Sequence, residues 1–113
     1  MKQKTSDLQG PALDWAVAKC EFPNMNVAHF NHLRSLHVLH RSFFYSTDWS
    51  QGGPIIERER MTLTCVSRQG GVEWIADDEV SNVVNGPTPL IAAMRCFVAS
   101  KLGDEVEVPA ELA

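Results

Sequence analysis

Three Gly-Pro pairs, Gly10-Pro11, Gly53-Pro54 and Gly86-Pro87, divide the 113-residue chain and restrict its folding more than any other feature. Proline fixes φ and has no N–H, so it suits the first turn of a helix and disrupts the interior of one. Each pair stands just before a stretch that can be helical, and three helix starts are therefore expected. After the first pair, "ALDWAVAKCE" meets no breaker until Pro23. Leu8, Ala12, Trp15, Ala16 and Cys20 recur at helical spacing with Leu13 and Val17 beside them, which predicts a largely buried helix. After the third pair, "TPLIAAMRCFVASKLG" carries Thr88 as N-cap, Pro89 at the first position, Lys101 in the last turn and Gly103 for a left-handed stop. Leu90, Ile91, Met94, Phe97 and Val98 form its core stripe, with Arg95 on the other side, and Trp15, Met94, Phe97 and Val98 are expected to share one core.

Between these helices, "MTLTCVSR" and "GVEWIAD" alternate as strands do, and Gln69-Gly70-Gly71 supplies the positive φ of a tight hairpin. Residues 80–86 read as a short strand or a loop rim. "DEVEVP" alternates Val106 and Val108 with acids and is stopped by Pro109, as an edge strand would be. The fold class expected is α+β: a small antiparallel sheet of two or three strands, with the N-terminal and C-terminal helices packed against it, in one domain spanning residues 1–113. Composition agrees, since 44% apolar and 21% charged residues belong to an ordinary globular chain.

The middle pair raises a question of function. Gly52-Gly53-Pro54 resembles a phosphate cradle, but Ile55-Ile56 follow where a Lys-Ser/Thr pair would be needed, and Pro54 removes a donor. A dinucleotide fingerprint fails as well. The expected structure is a capping turn at Ser46-Thr47-Asp48 and a helix over "PIIERER", residues 54–60, with Glu57 and Arg60 paired on its exposed side. Trp49 has two readings: it packs into the core beside Ile56, which is the expectation, or it anchors a partner with Asp48 and Arg58 as a polar rim. Asp48, Trp49 and Arg58 are thus the candidate protein-binding residues.

"ALDWAVAKCE", "YSTDWSQGGPIIERER" and "GPTPLIAAMRCFVASKLGDEVEVPAEL" together resemble the NinX-like family of small bacteriophage proteins of unknown function. The three blocks cover about half the chain in the family's order. Two departures stand out: a Pro-containing insertion often found in the family between the Tyr and the Ser-Thr-Asp-Trp is absent after Tyr45, and the stretch from Phe22 to Phe44 is a variable segment matching none of the blocks. The resemblance implies a phage or prophage gene product in a bacterial cytoplasm. It implies no activity and carries over no catalytic residues.

That variable segment contains "HFNHLRSLHVLH", in which His29, His32, His37 and His40 would fall within about 140° of a helix surface. His29 and His40 would stand about 16 Å apart along the axis, too far to share an ion. Only His29 with His32, or His37 with His40, could chelate, and further ligands such as Cys20 or Cys65 would have to be exposed. No metal and no cofactor is expected. Nucleophilic catalysis lacks a Gly-x-Ser-x-Gly elbow and a His-Glu-x-x-His, and Cys20, Cys65 and Cys96 are expected as unpaired, buried thiols.

A net charge of −4 argues against nucleic acid as partner, because phosphate contacts need clustered Lys and Arg. Glu57 and Glu59 also interrupt Arg58 and Arg60. No run approaches the ~20 apolar residues of a membrane span, and the N-terminus lacks the apolar run of a signal peptide, so a cytoplasmic location is expected. The function expected is a phage accessory protein that binds a host or phage protein. The alternative is a small metal-dependent or ligand-binding enzyme using the histidine segment 29–40. The sequence leaves the oligomeric state open.

Overall fold

The helix at the centre of the molecule is the last one. In the computed structural model, which describes residues 1–36, 43–80 and 82–113, it spans Pro89–Leu102. Thr88 caps it by accepting the Ile91 N–H at 3.1 Å, Pro89 opens it, and Gly103 at φ +88° ends it. Its burial exceeds the expected stripe. Leu90, Ala92, Ala93, Met94, Cys96, Phe97 and Val98 are all buried, because structure lies on more than one side of it. One side receives the first helix, Gly10–Glu21, and the other the sheet. The first helix therefore packs mainly on another helix rather than on the sheet, as its small residues Ala12, Ala16 and Ala18 permit. Trp15, Met94, Phe97 and Val98 do share the core.

Naming elements in chain order, β1 is Lys2–Lys4, α1 Gly10–Glu21, α2 Val27–Ser35, α3 Trp49–Glu59, β2 Thr62–Arg68, β3 Gly71–Asp77, β4 Val83–Gly86, α4 Pro89–Leu102 and β5 Glu105–Glu107. The three-stranded sheet runs β2-β3-β4, all antiparallel. Arg68 pairs with Gly71 across the two-residue Gln69-Gly70 loop, with Gly70 at φ +98°, as the hairpin signal predicted. Gly86 lets β4 touch α4: a Cβ there would stand 2.6 Å from the Ala92 N. The fold class is α+β, with a second sheet that the sequence did not reveal. In it β5 pairs with β1, setting Lys2 opposite Glu107 and Lys4 opposite Glu105. Opposite charges on facing positions stabilise such a pair. Two lysines around a Gln have no strand signature until their acidic partners, about a hundred residues away, are in place.

The middle Gly-Pro pair is the main correction. α3 begins at Trp49, before the glycines, so Pro54 lies inside the helix. Asp48 determines this start by accepting the Ser50 N–H at 2.9 Å, as the proposed capping turn required. Pro54 cannot donate to the Ser50 carbonyl, but Ser50 and Pro54 are both exposed, so water can satisfy that oxygen. Gly52 is needed for packing. A Cβ there would lie 2.5 Å from Leu90 Cδ1 and 2.6 Å from the Tyr45 carbonyl oxygen, so only glycine allows α3 this close to α4. The helix ends with Arg60 left-handed at φ +55°. Its N–H bonds the Glu57 carbonyl and the Met61 N–H bonds that of Ile56, in the two-bond pattern of a Schellman stop. Glu57 and Arg60 are thus joined through backbone, and among the described residues no ion pair joins their side chains.

Candidate functional site

Asn26 caps α2 by accepting the His29 N–H at 2.8 Å, and so opens the helical part of the histidine segment. Phe30 enters the core from this helix at 0% exposure. Its ring meets Trp15 edge-on at 5.4 Å and stacks on Phe43 at 5.6 Å. Phe43 in turn contacts Phe22 and Tyr45, both at 6.2 Å. This chain of rings leads from the core to the surface, where Phe22 is 52% exposed. Around it lies a groove of about 570 Å³ lined by Phe22, Met25, His29, Leu33, Phe43, Tyr45, Ser50 and Gln51. The end of α1, one face of α2 and the start of α3 are its walls.

A buried ion pair holds the groove floor. Asp14 points from α1 with 2% of its side chain exposed, and its Oδ2 accepts from Arg34 Nη1 at 2.5 Å. Its Oδ1 accepts the Ser46 N–H at 2.8 Å, while Arg34 also donates to the Phe43 carbonyl at 3.1 Å and lies 4.2 Å from the Phe44 ring centre. Asp14 and Arg34 thereby fasten α1 and α2 to residues 43–46. Burial raises the Asp14 carboxyl above its ordinary value, and the neighbouring Ser46 and Arg34 groups oppose that rise. The Ser46 hydroxyl is buried and has no hydrogen-bond partner among the described residues. Neither Asp14 nor Arg34 stood out in the sequence. An aspartate in the middle of an Ala-rich apolar helix was the available signal, because a charge at such a position needs a partner.

The sequence-derived candidates are divided by the structure. Trp49 is 52% exposed and does not fill the core beside Ile56. As the first residue of α3 its ring lies over Gly53, where a Cβ would stand 4.0 Å from Cε3. Asp48 is the cap beneath it, bonded also to the Ser50 hydroxyl at 2.6 Å and Gln51 Nε2 at 3.0 Å. Arg58 is not part of a rim around Trp49. Nine helical residues on, it is turned by about 180° and displaced by about 13 Å. It binds Glu21 of α1 at 2.6 Å and Glu59 at 3.0 Å, tying α3 to α1.

His29 and His32 lie on α2 and are both exposed, while His37 and His40 lie outside the described residues. Among the described residues no group of three His, Cys, Asp or Glu side chains could hold a metal ion. The thiols also differ from expectation: Cys96 is buried and Cys20 half-buried, but Cys65 is exposed on β2. No helix among the described residues is long and apolar enough to cross a membrane.

A larger cleft, about 670 Å³, lies between β4 and the N-terminal segment, lined by Lys4, Asp7, Glu73, Arg95, Asp104 and Glu105 among others. Its arginine is already engaged. Arg95 donates to the Leu8 carbonyl at 2.7 Å and the Asn85 carbonyl at 3.0 Å, and the acids outnumber the bases. Arg95 is therefore a brace between the N-terminal segment and β4 rather than a surface residue opposite the core.

No curated protein matches the chain. Residues 4–101 match the family model described as "Bacteriophage P22, NinX", a range that takes in the first two sequence blocks, the stretch from Phe22 to Phe44 and the third block as far as Lys101. With most of its length matched, the chain belongs to the bacteriophage P22 NinX family.

Proposed function

We propose that this protein is a phage accessory protein that works in the bacterial host cytoplasm by binding a host or phage protein, and that it does so on the face bearing Phe22 and Trp49. The observation that carries this reading is the exposure of both rings, 52% each, on well-anchored backbone beside the apolar groove. Exposed aromatics on rigid elements are the usual anchors of protein interfaces, since they bury much area at little entropic cost. The groove would accept apolar side chains from the partner, with His29, Ser50 and Gln51 as polar edge.

A second reading, a small metal-dependent or ligand-binding enzyme using the histidine segment 29–40, draws on His29, which lines the same groove at a volume ordinary for small ligands. Trp49 separates the two, because it lies outside the groove lining. Trp49→Ala should leave the urea midpoint within about 0.5 kcal/mol of wild type, as exposed substitutions do. It should also abolish recovery, from infected-cell lysate, of a protein that the wild type captures reproducibly. Undiminished recovery by Trp49→Ala and Phe22→Ala would refute binding at this face. Saturable small-ligand or zinc binding lost on His29→Ala, with the captured proteins unchanged, would favour the second reading.

A further inference from the structure

The two edges of the three-stranded sheet are treated differently. At β4 the outward carbonyl of Asn85 is taken by Arg95 at 3.0 Å. At β2 nothing comparable occurs. The Arg68–Gly71 pair closes a two-residue loop and is therefore a hydrogen-bonded pair, and pairs alternate along an antiparallel ladder. Leu63, Cys65 and Ser67 must then turn their N–H and C=O groups away from β3. The same alternation, carried across β3, turns Asn85 outward from β4, where Arg95 meets it. Among the described residues no hydrogen bond reaches the outward backbone groups of Leu63, Cys65 or Ser67. Natural edges are commonly guarded by lysine, proline, a bulge or a covering element. β2 has no lysine or proline, and its seven residues pair with β3 without a bulge.

We propose that β2 is a self-association edge, and that a second copy of this chain pairs with it antiparallel about a two-fold axis through Cys65, joining two three-stranded sheets into one. The strand is built for this partner. Cys65 is the middle residue of Thr62–Arg68, so a two-fold axis there overlaps the whole strand with its copy. The outward-facing residues then meet one another: Cys65 faces its own copy, and Leu63 faces Ser67 in both directions. Each of these pairs exchanges two backbone bonds, which satisfies every outward group of the strand. Shifting the axis by one residue leaves one strand end unpaired. Charge agrees with this register. Arg68, which pairs with Glu73 of its own chain at 2.6 Å, falls opposite Thr62 of the copy, whose hydroxyl donates to the Glu79 carboxylate at 3.0 Å, so at both ends an arginine comes near a second carboxylate rather than a like charge. No like charges face each other across the seam.

Sedimentation equilibrium over a wide concentration range should give a particle of twice the 12.6 kDa chain mass at the upper end. Ser67→Pro removes one outward donor at an edge position that accepts proline, and Cys65→Lys sets two ammonium groups face to face. Each should weaken association at least tenfold while circular dichroism and thermal melting stay those of a folded chain. Facing Cα atoms in such a pair lie about 5.5 Å apart, within disulfide reach. Mild oxidation of the dimer should therefore link the tryptic peptide 61–68 to itself, through Cys65. A wild-type protein that stays monomeric throughout would overturn the proposal, as would a dimer that both folded variants form at wild-type strength. Cross-linking through Cys20 or Cys96 in preference to Cys65 would also count against it.

Discussion

Replacing Asp14 by alanine should destabilise this protein more than any surface change of similar size. The substitution leaves Arg34, 18% exposed, without its carboxylate and leaves the buried Ser46 N–H without an acceptor. Removing one member of a buried ion pair costs about 3 to 5 kcal/mol. Arg34's partial exposure lowers that figure and the orphaned amide, worth about 1 to 3 kcal/mol, raises it again, so a loss of about 3 to 4 kcal/mol is expected. Domains of this size are stable by only about 5 to 15 kcal/mol, and urea slopes run near 1 to 3 kcal/mol per molar. The midpoint should therefore fall by about 2 M in equilibrium urea unfolding followed by circular dichroism. Asp14→Asn keeps an acceptor for Ser46 and should lose about 1 to 2 kcal/mol.

The pH dependence tests the electrostatics separately. Burial raises the Asp14 carboxyl above 3.8 in the folded state. The folded chain then holds this proton more tightly than the unfolded chain. Its contribution is complete below 3.8 and is lost as pH rises through the folded value. The stability advantage of wild type over Asp14→Asn should shrink with rising pH across that window. An advantage that grows instead would show that Arg34 outweighs desolvation, and an alanine loss below about 1 kcal/mol would refute the structural role itself.

Phe97, 1% exposed on α4, should cost about 3 to 5 kcal/mol on substitution by alanine, measured by the same unfolding curves. Gly52→Ala, which elsewhere in a helix would add up to about 1 kcal/mol, should here cost about 1 to 2 kcal/mol and lower the melting temperature, because the new methyl meets Leu90 and the Tyr45 carbonyl. Thiol labelling of the native protein near neutral pH, read by mass spectrometry, should modify Cys65 first. Cys20 and Cys96, both pushed up to about 11 by burial, should react only slowly before denaturation.

Local chemistry made part of this fold readable. α1, α4 and the β2–β3 hairpin carry their own signals in caps, prolines, glycines and periodicity, and each forms where those signals lie. β1 has no such signal, since its lysines become a strand only against Glu105 and Glu107. The Asp14–Arg34 pair is likewise a product of long-range packing: the two residues lie on different helices and fasten a third segment. The ring series from Trp15 to Phe22 is scattered over residues 15–43, so no window of sequence contains it.

The placing of Trp49 shows how two local rules compete. Pro54 argues for a helix beginning at residue 54, and Asp48 argues for one beginning at 49; in the fold the cap prevails. A proline in a helix loses one bond and is tolerated where the freed carbonyl faces water, whereas an unsatisfied helix start would leave several donors without partners. Once the helix begins at Trp49, steps of 100° per residue turn Gly52 and Ile55 inward and leave Trp49 outside. Gly52 then accounts for the closeness of α3 to α4, and Gly53 for the room the indole ring takes above the helix. The same two glycines that suggested a ligand loop thus set the position of the exposed tryptophan. A partner-binding role for that ring consequently depends on the Asp48 cap, and Asp48→Ala should weaken partner capture through a frayed first turn even though Asp48 itself need not touch the partner.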